Sequence, residues 1–486
     1  MPNPSIHMGV PLADVVPAPL DSVSGVTASN ALVQRKRLRL VPQSAVTANP
    51  GDIINFLIQD PGMLDLQSAV FHANIVVTST GAGSACLDDG PSWLRQFVCQ
   101  VDGQNLETQD RCNKLTLMET YMTASSALYN RALSFAGFWK FNPDLKAATS
   151  ANVGGTPLLW SDVSGNAQAA SGFYTTSTYG WDVALPLGLV SHVFRAEKLF
   201  PSRFANNLLI QMQLESAAQA LVSFGAATPT TYQLTNCYLN IDTVTLNPSF
   251  TAFLQDQVMD PHGSGIVLPF QTKISATGTS AANNGDVTFV ASRASKNLKR
   301  IAYVQQPTAA LGASGTTYAE ISTFPSAGFN TRGQSGQQVG QTQVYLAGTY
   351  YPIFPARGSD AYWVAHQAYN GHPLTDSDGG IVTYRTWGTT TGTNGTAAPA
   401  DVNTGSSYLS DQWIFAYDLS KMIGSSDALE NDGVDSTGNS QIQINIKTGP
   451  AECSTPSNGN QSYTPTVEML GTKYLCITNG ELTVMG

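Results

Sequence analysis

The stretch WLRQFVCQVDG, residues 93–103, has the pattern of a β-strand that ends in a glycine turn. An extended piece follows it, and then a segment in which Leu115, Met118 and Met122 repeat at spacings of three and four. This spacing places the three side chains on one face of an α-helix, which we expect to begin near Thr108. The stretch therefore predicts a unit of strand, turn, extended piece and helix.

The second half of the chain repeats this order. Residues 343–346 predict a strand, Gly348 follows it, residues 350–355 are extended, and a helix is expected from Ser359. In each half a long loop-rich stretch comes next, and alternating strands complete the half. The shared order predicts a duplicated architecture of two β-sandwiches.

Strand-length apolar runs, separated by Gly, Pro, Asn and Ser, cover most of the remaining sequence. In residues 233–246, for example, Cys237, Leu239 and Ile241 alternate with polar residues. The predicted strands are 33–41, 52–57, 68–77, 93–101, 172–185, 207–214 and 233–246 in the first half, and 265–276, 285–291, 300–305, 343–346, 407–417, 440–447, 464–470 and 474–485 in the second. The fold class is therefore expected to be all-β with short helical insertions.

Two further helices and the domain limits follow from the same patterns. Phe250, Phe253, Leu254 and Val258 follow Ser249, a candidate N-cap, and a small-residue stripe follows Ser359 until Asn370-Gly371 stops it. We expect an N-terminal arm at 1–26, a first sandwich at 27–247, a linker helix and turn at 248–264, and a second sandwich at 265–486. Two polar excursions, 142–170 and 370–406, predict long surface loops.

The chain carries little charge. Only 12% of its residues are Asp, Glu, Lys or Arg, against about 25% in a typical soluble domain. Such a surface suits a subunit that is buried against copies of itself, because desolvating charges is costly. A secreted β-protein with a neutral polar exterior is the alternative. The net charge is −10, and residues 1–27 contain no Lys or Arg, so we expect no direct sequence-specific nucleic-acid binding.

The one basic cluster is RKRLR, residues 35–39. We interpret it as a strand with Arg35, Arg37 and Arg39 along one face, and a nuclear-import signal or a polyanion contact is the alternative. The six cysteines follow no framework spacing and are expected to be free thiols. Residues 1–20 lack the pattern of a signal peptide and no run is long enough to span a membrane, so we expect synthesis in a reducing cytosol.

A search for catalytic motifs finds none: the sequence has no Gly-Lys or His-Glu dipeptide and no Gly-x-Ser-x-Gly elbow. We therefore predict no catalytic, cofactor-binding or metal-binding residues, and no enzyme activity. His366 lies next to the small-residue stripe of its helix and is expected to have a packing or surface role rather than to bind a metal. The acidic loops 376–379 and 430–435 are alternatives for calcium, although neither matches the full EF-hand spacing.

The order of these features resembles the double jelly-roll major capsid proteins of icosahedral DNA viruses, the group of nucleo-cytoplasmic large viruses, virophages and Polinton-like viruses. The resemblance is carried by WLRQFVCQVDG at 93–103 with Glu107 and a helix after it, by YYPIFP at 350–355 before the second helix, and by FAYDL at 415–419 followed by DSTGNS at 435–440 and the strand at 441–447. It extends from about Leu32 to the last residue. The loop at 370–406 has no counterpart in the family pattern.

The resemblance implies two tandem eight-stranded jelly rolls and a structural role. It implies a homotrimer of nearly hexagonal outline that packs with neighbouring trimers into an icosahedral capsid. Penton and minor capsid proteins, and an inner membrane, are the further partners it suggests. The location would be the virion, after synthesis in the host cytoplasm or a virus factory. The alternatives are a tandem β-sandwich carbohydrate-binding or adhesin protein, for which Tyr362, Trp363 and Trp387 are candidates, and a glycan-cleaving enzyme.

Overall fold

The structure is a computed structural model that describes residues 32–80, 83–138, 178–205, 207–225, 228–259, 265–278, 287–292, 295–307, 324, 340–370, 380–382, 387, 413–420, 433–438, 441–447, 463–478 and 480–485. The predicted N-terminal arm, the excursion at 142–170, the acidic loop at 376–379 and most of the loop at 370–406 lie outside the described residues. No helix within the described part of the chain is both long and apolar enough to cross a membrane.

Strands dominate both halves, as the alternating patterns predict. The first half contains β1 (Leu32–Leu40), β2 (Ile53–Ile58), β3 (Met63–Thr80), β4 (Gly83–Leu87), β5 (Leu94–Val101), β6 (Gln104–Asp110), β7 (Thr178–Pro186), β8 (Leu208–Leu214), β9 (Leu221–Gly225) and β10 (Thr228–Leu246). The second half contains β11 (Ile266–Thr277), β12 (Val287–Ser292), β13 (Leu298–Pro307), β14 (Gln341–Leu346), β15 (Thr349–Arg357), β16 (Phe415–Asp418), β17 (Gln441–Lys447), β18 (Tyr463–Thr478) and β19 (Glu481–Met485).

Short helices connect these strands. They are α1 (Cys112–Thr123), α2 (Ser126–Arg131), α3 (Leu187–Val190), α4 (Ala217–Ala220), α5 (Pro248–Met259) and α6 (Ser359–Asn370), with 3₁₀ turns at Leu133–Ala136 and His192–Arg195. The three helices predicted from apolar spacing are α1, α5 and α6. The linker helix α5 packs Phe250 and Leu254 against Val244 and Leu246 of β10. These residues of the predicted apolar stripe form a packing face, whereas Phe253 of the same stripe is 42% exposed.

Both halves have the strand order of a jelly roll. Leaving aside the added pair β4–β9, the first half forms sheets β1-β10-β3-β7 and β2-β8-β5-β6. The second half forms β11-β18-β13-β16 and β12-β17-β14-β15. If the strands of each half are numbered in chain order, without β4, β9 and β19, one sheet has the order 1-8-3-6 and the other has the order 2-7-4-5. This is the double Greek key of an eight-stranded sandwich. In both halves a helix, α1 or α6, follows the fifth strand.

The same turn joins the fourth and fifth strands in each half. Asp102 and Gly103 connect β5 to β6 with φ angles of 45° and 79°, and Ala347 and Gly348 connect β14 to β15 with 50° and 85°. Positive φ at both central residues is the geometry of a two-residue hairpin turn that follows the twist of its strands. Glycine adopts this conformation without a steric penalty, which explains its place after both predicted strands.

One sheet runs through both halves. β6, the edge strand of the first half, lies parallel to β11, the first strand of the second, with Thr108 opposite Ile274. The sheet β2-β8-β5-β6 of the first half and the sheet β11-β18-β13-β16 of the second half are thereby joined. Together with β19, which pairs with β18, they form one sheet of nine strands. Buried residues from both halves belong to one continuous apolar core, for example Phe97 of β5 and Val467 of β18.

The structure corrects several boundaries. Thr108 lies in β6, not in a helix, because residues 104–110 complete the hairpin with β5, and α1 begins only at Cys112. α5 begins at Pro248, so the predicted cap Ser249 lies inside it, and Asn247 Oδ1 accepts the Ser249 N–H at 3.0 Å instead. The break between the last two predicted strands, 464–470 and 474–485, lies further along the chain than predicted. β18 continues to Thr478, and β19 begins at Glu481 and pairs with β18 as a short hairpin strand. The pair β4–β9 and strand β6 were not predicted.

Candidate functional site

A cluster of buried charged side chains lies where the two halves meet. At its centre is Glu119 of α1, whose Oε1 accepts from His192 Nε2 at 2.7 Å and from Arg195 Nη1 at 2.6 Å. Its other carboxylate oxygen, Oε2, forms an ion pair with Nζ of Lys273, on β11 of the second half. We call these residues, together with Glu107 and Ser191, the seam.

Glu107 of β6 supplies the second carboxylate of the seam. Its Oε1 accepts the backbone N–H of Lys273 at 2.6 Å, and its Oε2 accepts from the Ser191 hydroxyl. Close by, Ser275 Oγ accepts the Asp110 N–H at 2.8 Å, and Lys473 Nζ of β18 donates to the Leu106 carbonyl at 2.9 Å. Strand β6 is therefore held to the second half by polar contacts along most of its length, in addition to the Thr108–Ile274 pairing.

Burial and charge act in opposite directions on the two carboxyl groups. Burial alone would raise the pKa of Glu119, but His192, Lys273 and Arg195 hold that pKa well below its ordinary value. For Glu107, burial outweighs the hydrogen bonds from Lys273 and Ser191, and its pKa is raised. Burial also lowers the pKa of His192, although Glu119 opposes this. The neighbouring cations thus favour the anionic form of Glu119, whereas burial makes Glu107 harder to ionise than an exposed glutamate.

A second buried ion pair lies within the second half. Arg300 of β13 donates from Nη2 to Glu468 Oε1 of β18 at 2.5 Å, and its guanidinium lies 4.1 Å from the centre of the Tyr369 ring of α6. Burial would lower the pKa of Arg300, but Glu468 raises it. This pair fastens α6 to the sheet, as the contacts of Glu119 fasten α1 at the seam.

The centre of the seam is buried, although Arg195 at its edge is 40% exposed. The side chains of Glu119 and Lys273 are 3% and 0% exposed, so no solute reaches them in this conformation. Among the described residues, no group of three His, Cys, Asp or Glu side chains is arranged to hold a metal ion. The buried ion pair between Glu119 and Lys273 connects the two sandwiches and so helps to fix their relative position.

The two most exposed large apolar side chains of the described residues are neighbours on one strand. Strand β15 is an edge strand, and its residues Ile353 and Phe354 are 76% and 83% exposed. Tyr350 of the same strand and Trp363 of α6 are about half exposed. Gln343 Nε2 donates to the carbonyls of Pro352 and Ile353 at 2.9 and 3.1 Å, which anchors the segment beneath its exposed side chains. Exposed aromatic and aliphatic residues on an anchored edge are typical of a protein–protein contact.

The aromatic candidates for carbohydrate binding do not form a binding surface. Trp387 is fully buried, and its Nε1 donates to the Ile414 carbonyl at 2.6 Å. The half-buried Tyr362 ring lies 5.6 Å from those of both Trp387 and Trp363, so it connects the core to the surface. Only Trp363 is substantially exposed. His366 is buried in the same cluster, with its Nε2 3.3 Å from the Val382 carbonyl, as the packing interpretation expects.

The basic cluster at 35–39 is a strand, β1, with its arginines on one face. Arg35 pairs with Asp65 at 2.7 Å and Asp242 at 2.8 Å, and Arg37 lies 4.0 Å from Asp242. The guanidinium of Arg39 lies 3.7 Å from the centre of the Tyr238 ring. In the loop at 430–435, the described Asp435 accepts the N–H and the hydroxyl of Thr437 at 2.8 and 2.6 Å, which is ordinary turn chemistry.

No protein-family model and no curated protein sequence matches this chain. Solved structures do match it. The Faustovirus major capsid protein is 9% identical, with a TM-score of 0.58 over 94% of this chain and 92% of its own. VP54 of the virus PBCV-1, fitted into a reconstruction of the virophage Sputnik, is 11% identical, with a TM-score of 0.52 over 95% and 98%. The Sputnik virophage structure is 14% identical, with a TM-score of 0.51 over 95% and 90%.

These similarities span at least nine tenths of this chain and of each matched chain, and they agree with the strand order found in both halves. The chain therefore has the double jelly-roll fold, as the sequence resemblance predicts. At this level of identity the similarity establishes the fold, and the function requires a separate argument.

Proposed function

We propose that this chain is a major capsid protein, three copies of which form a pseudo-hexagonal trimer that tiles an icosahedral virus shell. The observation that carries the proposal is the pair of jelly rolls with one strand order, joined by a continuous sheet. Three such chains present six similar sandwiches and so suit lattice positions with six neighbours. A closed ring of three uses heterologous contacts, in which each sandwich meets the other kind on the next chain.

The seam supports this proposal. A shell subunit must keep its two sandwiches in a fixed relation, because an error in their angle would be repeated at every contact of the lattice. The buried pair Glu119–Lys273 and the parallel pairing of Thr108 with Ile274 provide such a fixed relation. The assembly units inferred here are residues 27–247 and 265–486, with α5 between them.

The surface supports it as well. The low charge of the chain reduces the cost of burying a large area, and obligate contacts bury of order 2,000–5,000 Å². Ile353 and Phe354 on the edge strand β15 are suited to the centre of such a contact, because aromatic and aliphatic anchors carry much of the binding energy of protein interfaces. The similar fold of the Faustovirus major capsid protein adds to the argument.

The proposal assigns the chain to the virion and gives it no catalytic activity. Its main partner is a second copy of itself, first within the trimer and then across the lattice. Penton and minor capsid proteins, and an inner membrane, are the further partners we infer. Synthesis is assigned to the host cytoplasm or a virus factory.

Native mass spectrometry of the purified chain at neutral pH tests the proposal. The expected dominant species has three times the 51.5 kDa mass of the chain. Dilution should not release monomer until the chain concentration is very low, because obligate interfaces are extensive. A monomer that persists at high protein concentration would refute the trimer and, with it, the shell role.

A further inference from the structure

A cleft of about 390 Å³ opens at one end of the first sandwich, where β1 begins. Leu38, Met63, Phe204 and Leu246 form its apolar lining. Met63 and Leu246 are almost completely buried, whereas Leu38 and Phe204 are half-buried. The cleft is large enough for several side chains of an extended segment, and its lining favours apolar ones.

Two cations line the same cleft, Lys36 of β1 and Arg203 of the loop before β8. Both are exposed, and within the described residues neither side chain has a hydrogen bond or an ion pair. The carboxylate in the lining, Asp60, is already engaged: it accepts from Thr243 Oγ1 at 2.6 Å and from the Gly62 N–H at 2.8 Å. The cleft therefore combines an apolar floor with two cations that form no ion pair among the described residues, and with one carboxylate whose Oδ1 is already used by Thr243 and Gly62.

The segment that precedes β1 has the complementary chemistry. Residues 1–31 contain no Lys or Arg, and their two acidic residues are Asp14 and Asp21. These carboxylates enclose the sequence VVPAPL at 15–20, which is apolar and rich in proline. Proline favours an extended backbone, so the segment loses little conformational entropy on binding.

The position of β1 brings this segment to the cleft. Leu32, the first residue of β1, lies opposite Leu246, which lines the cleft. Lys36 is four residues further along the strand, a distance of about 13 Å. Asp21 precedes Leu32 by eleven residues, which span up to about 36 Å when extended, so it can turn back and reach Lys36.

We propose that this cleft binds residues 14–21 of its own chain, with Val15, Val16 and Leu20 against the apolar floor and the aspartates facing Lys36 and Arg203. The short tether favours the chain's own segment over that of a neighbour. A flexible link of this length gives a millimolar effective concentration, which exceeds a solution of about 10 µM chain by roughly 100-fold. The bound segment also covers apolar side chains that would otherwise face water.

Zero-length carbodiimide cross-linking of the full chain tests the proposal, because it joins a lysine amine only to a carboxylate in contact with it. Equal amounts of unlabelled and ¹⁵N-labelled chain are unfolded together and refolded as a mixture at about 10 µM, so that any oligomer contains both forms, and the cross-linked peptides are identified by mass spectrometry. We expect Lys36 to be joined to Asp21 or Asp14 within one isotopic form, with mixed pairs rare. Lys296, an exposed lysine of the second half, is the internal control and should not react with either aspartate.

Two variants sharpen the result. Lys36→Arg keeps the charge but removes the amine, so the cross-link should disappear while the fold is retained. Arg203→Glu leaves Lys36 in place and should lower the cross-link yield by about two- to fivefold, the effect of one exposed charge pair. Mixed isotopic pairs in high yield would overturn binding in cis and assign the cleft to a neighbouring copy. The absence of any cross-link from Lys36 to Asp14 or Asp21, in either isotopic pairing, would overturn the proposal.

Discussion

Glu119, on the first helix of the first half, forms a buried ion pair with Lys273, on the first strand of the second half. The two residues are far apart in sequence, and the pair exists only when both sandwiches are folded and in contact. Because Arg195 and His192 share the same carboxylate, a change at Glu119 affects every cation of the seam. The seam therefore couples the stability of the two halves.

The first prediction concerns the two carboxyl groups of the seam. Glu119→Gln should lower the free energy of unfolding by about 3–5 kcal/mol, because it leaves Lys273 buried without its anion. Glu107→Gln should cost less than about 1 kcal/mol, because burial already raises the pKa of Glu107. The amide oxygen can accept the Lys273 N–H, and the amide nitrogen can donate to Ser191 Oγ once that hydroxyl turns to accept. Urea denaturation at pH 7 measures both values.

Glu197→Gln is the control, since it makes the same chemical change on an exposed residue next to the seam. Its unfolding free energy should match that of the unmodified chain. Equal losses for Glu107→Gln and Glu119→Gln would show that the seam depends on its shape and not on the charge of Glu119.

The second prediction concerns Lys114 of α1. Its side chain is 1% exposed, its Nζ has no hydrogen-bond partner among the described residues, and burial, with a smaller effect of Arg111, lowers its pKa from 10.5 to about 7. Lys114→Met should stabilise the protein by about 2–4 kcal/mol at pH 6, because one pKa unit corresponds to about 1.4 kcal/mol.

The sign of the pH effect follows from the lowered pKa. Between pH 7 and 10.5 the unfolded chain binds the proton and the folded chain does not, so the stability of the unmodified protein rises with pH in this window. The advantage of Lys114→Met should shrink over the same range. Melting temperatures at pH 6, 8 and 10 measure this change, with the exposed Lys296→Met as control. An advantage that is constant with pH would assign the gain to packing alone.

The third prediction concerns the protruding edge of β15 and rests on the proposed function. Phe354→Asp should leave the melting temperature of the monomer unchanged, because the side chain is 83% exposed. It should raise the concentration at which the trimer dissociates by about tenfold or more, which corresponds to a loss of at least 1.4 kcal/mol for each of the two association steps that form a trimer. Phe354→Leu keeps an apolar contact and should have a much smaller effect. A trimer of unchanged affinity in Phe354→Asp would exclude this edge from the contact and leave the trimer itself intact.

The fourth prediction concerns the thiols. Cys99, Cys112, Cys237 and Cys476 are free and buried, and burial raises the pKa of each. These four should not react with a thiol reagent at pH 8 until the protein unfolds. All six thiols should react under denaturing, non-reducing conditions. A count of four or fewer in denaturant would reveal a disulfide and contradict the expectation of free thiols.

The sequence predicts the strands of this fold well because burial on one face imposes a period of two. β8 is an example, in which buried and half-buried residues alternate without a break from Leu208 to Leu214. The repeated turn at Gly103 and Gly348 is also visible, because positive φ angles select glycine. Strand β6, with the sequence QNLETQD, was missed because its polar residues have no alternating pattern and it is held by neighbours distant in the sequence.

The seam could not be predicted for a related reason. Glu107, Glu119, His192 and Lys273 have no short-range spacing, and only the folded chain brings them together. The carbohydrate hypothesis groups residues that are close in sequence but differ in their exposure to solvent. Trp387 was grouped with Trp363 by proximity in the sequence, but burial separates them, since one lies in the core and the other on the surface. Side-chain burial of this kind depends on tertiary packing, which residue type alone does not reveal.

Electron cryomicroscopy of the purified oligomer tests the central claim most directly. Class averages viewed along the symmetry axis should show a particle of nearly hexagonal outline, with six sandwich-sized densities contributed by three chains. The equality of the six densities follows from the common strand order of the two halves. A dimer, a monomer, or a three-lobed particle in which the two sandwiches of each chain are stacked along the axis would contradict the account.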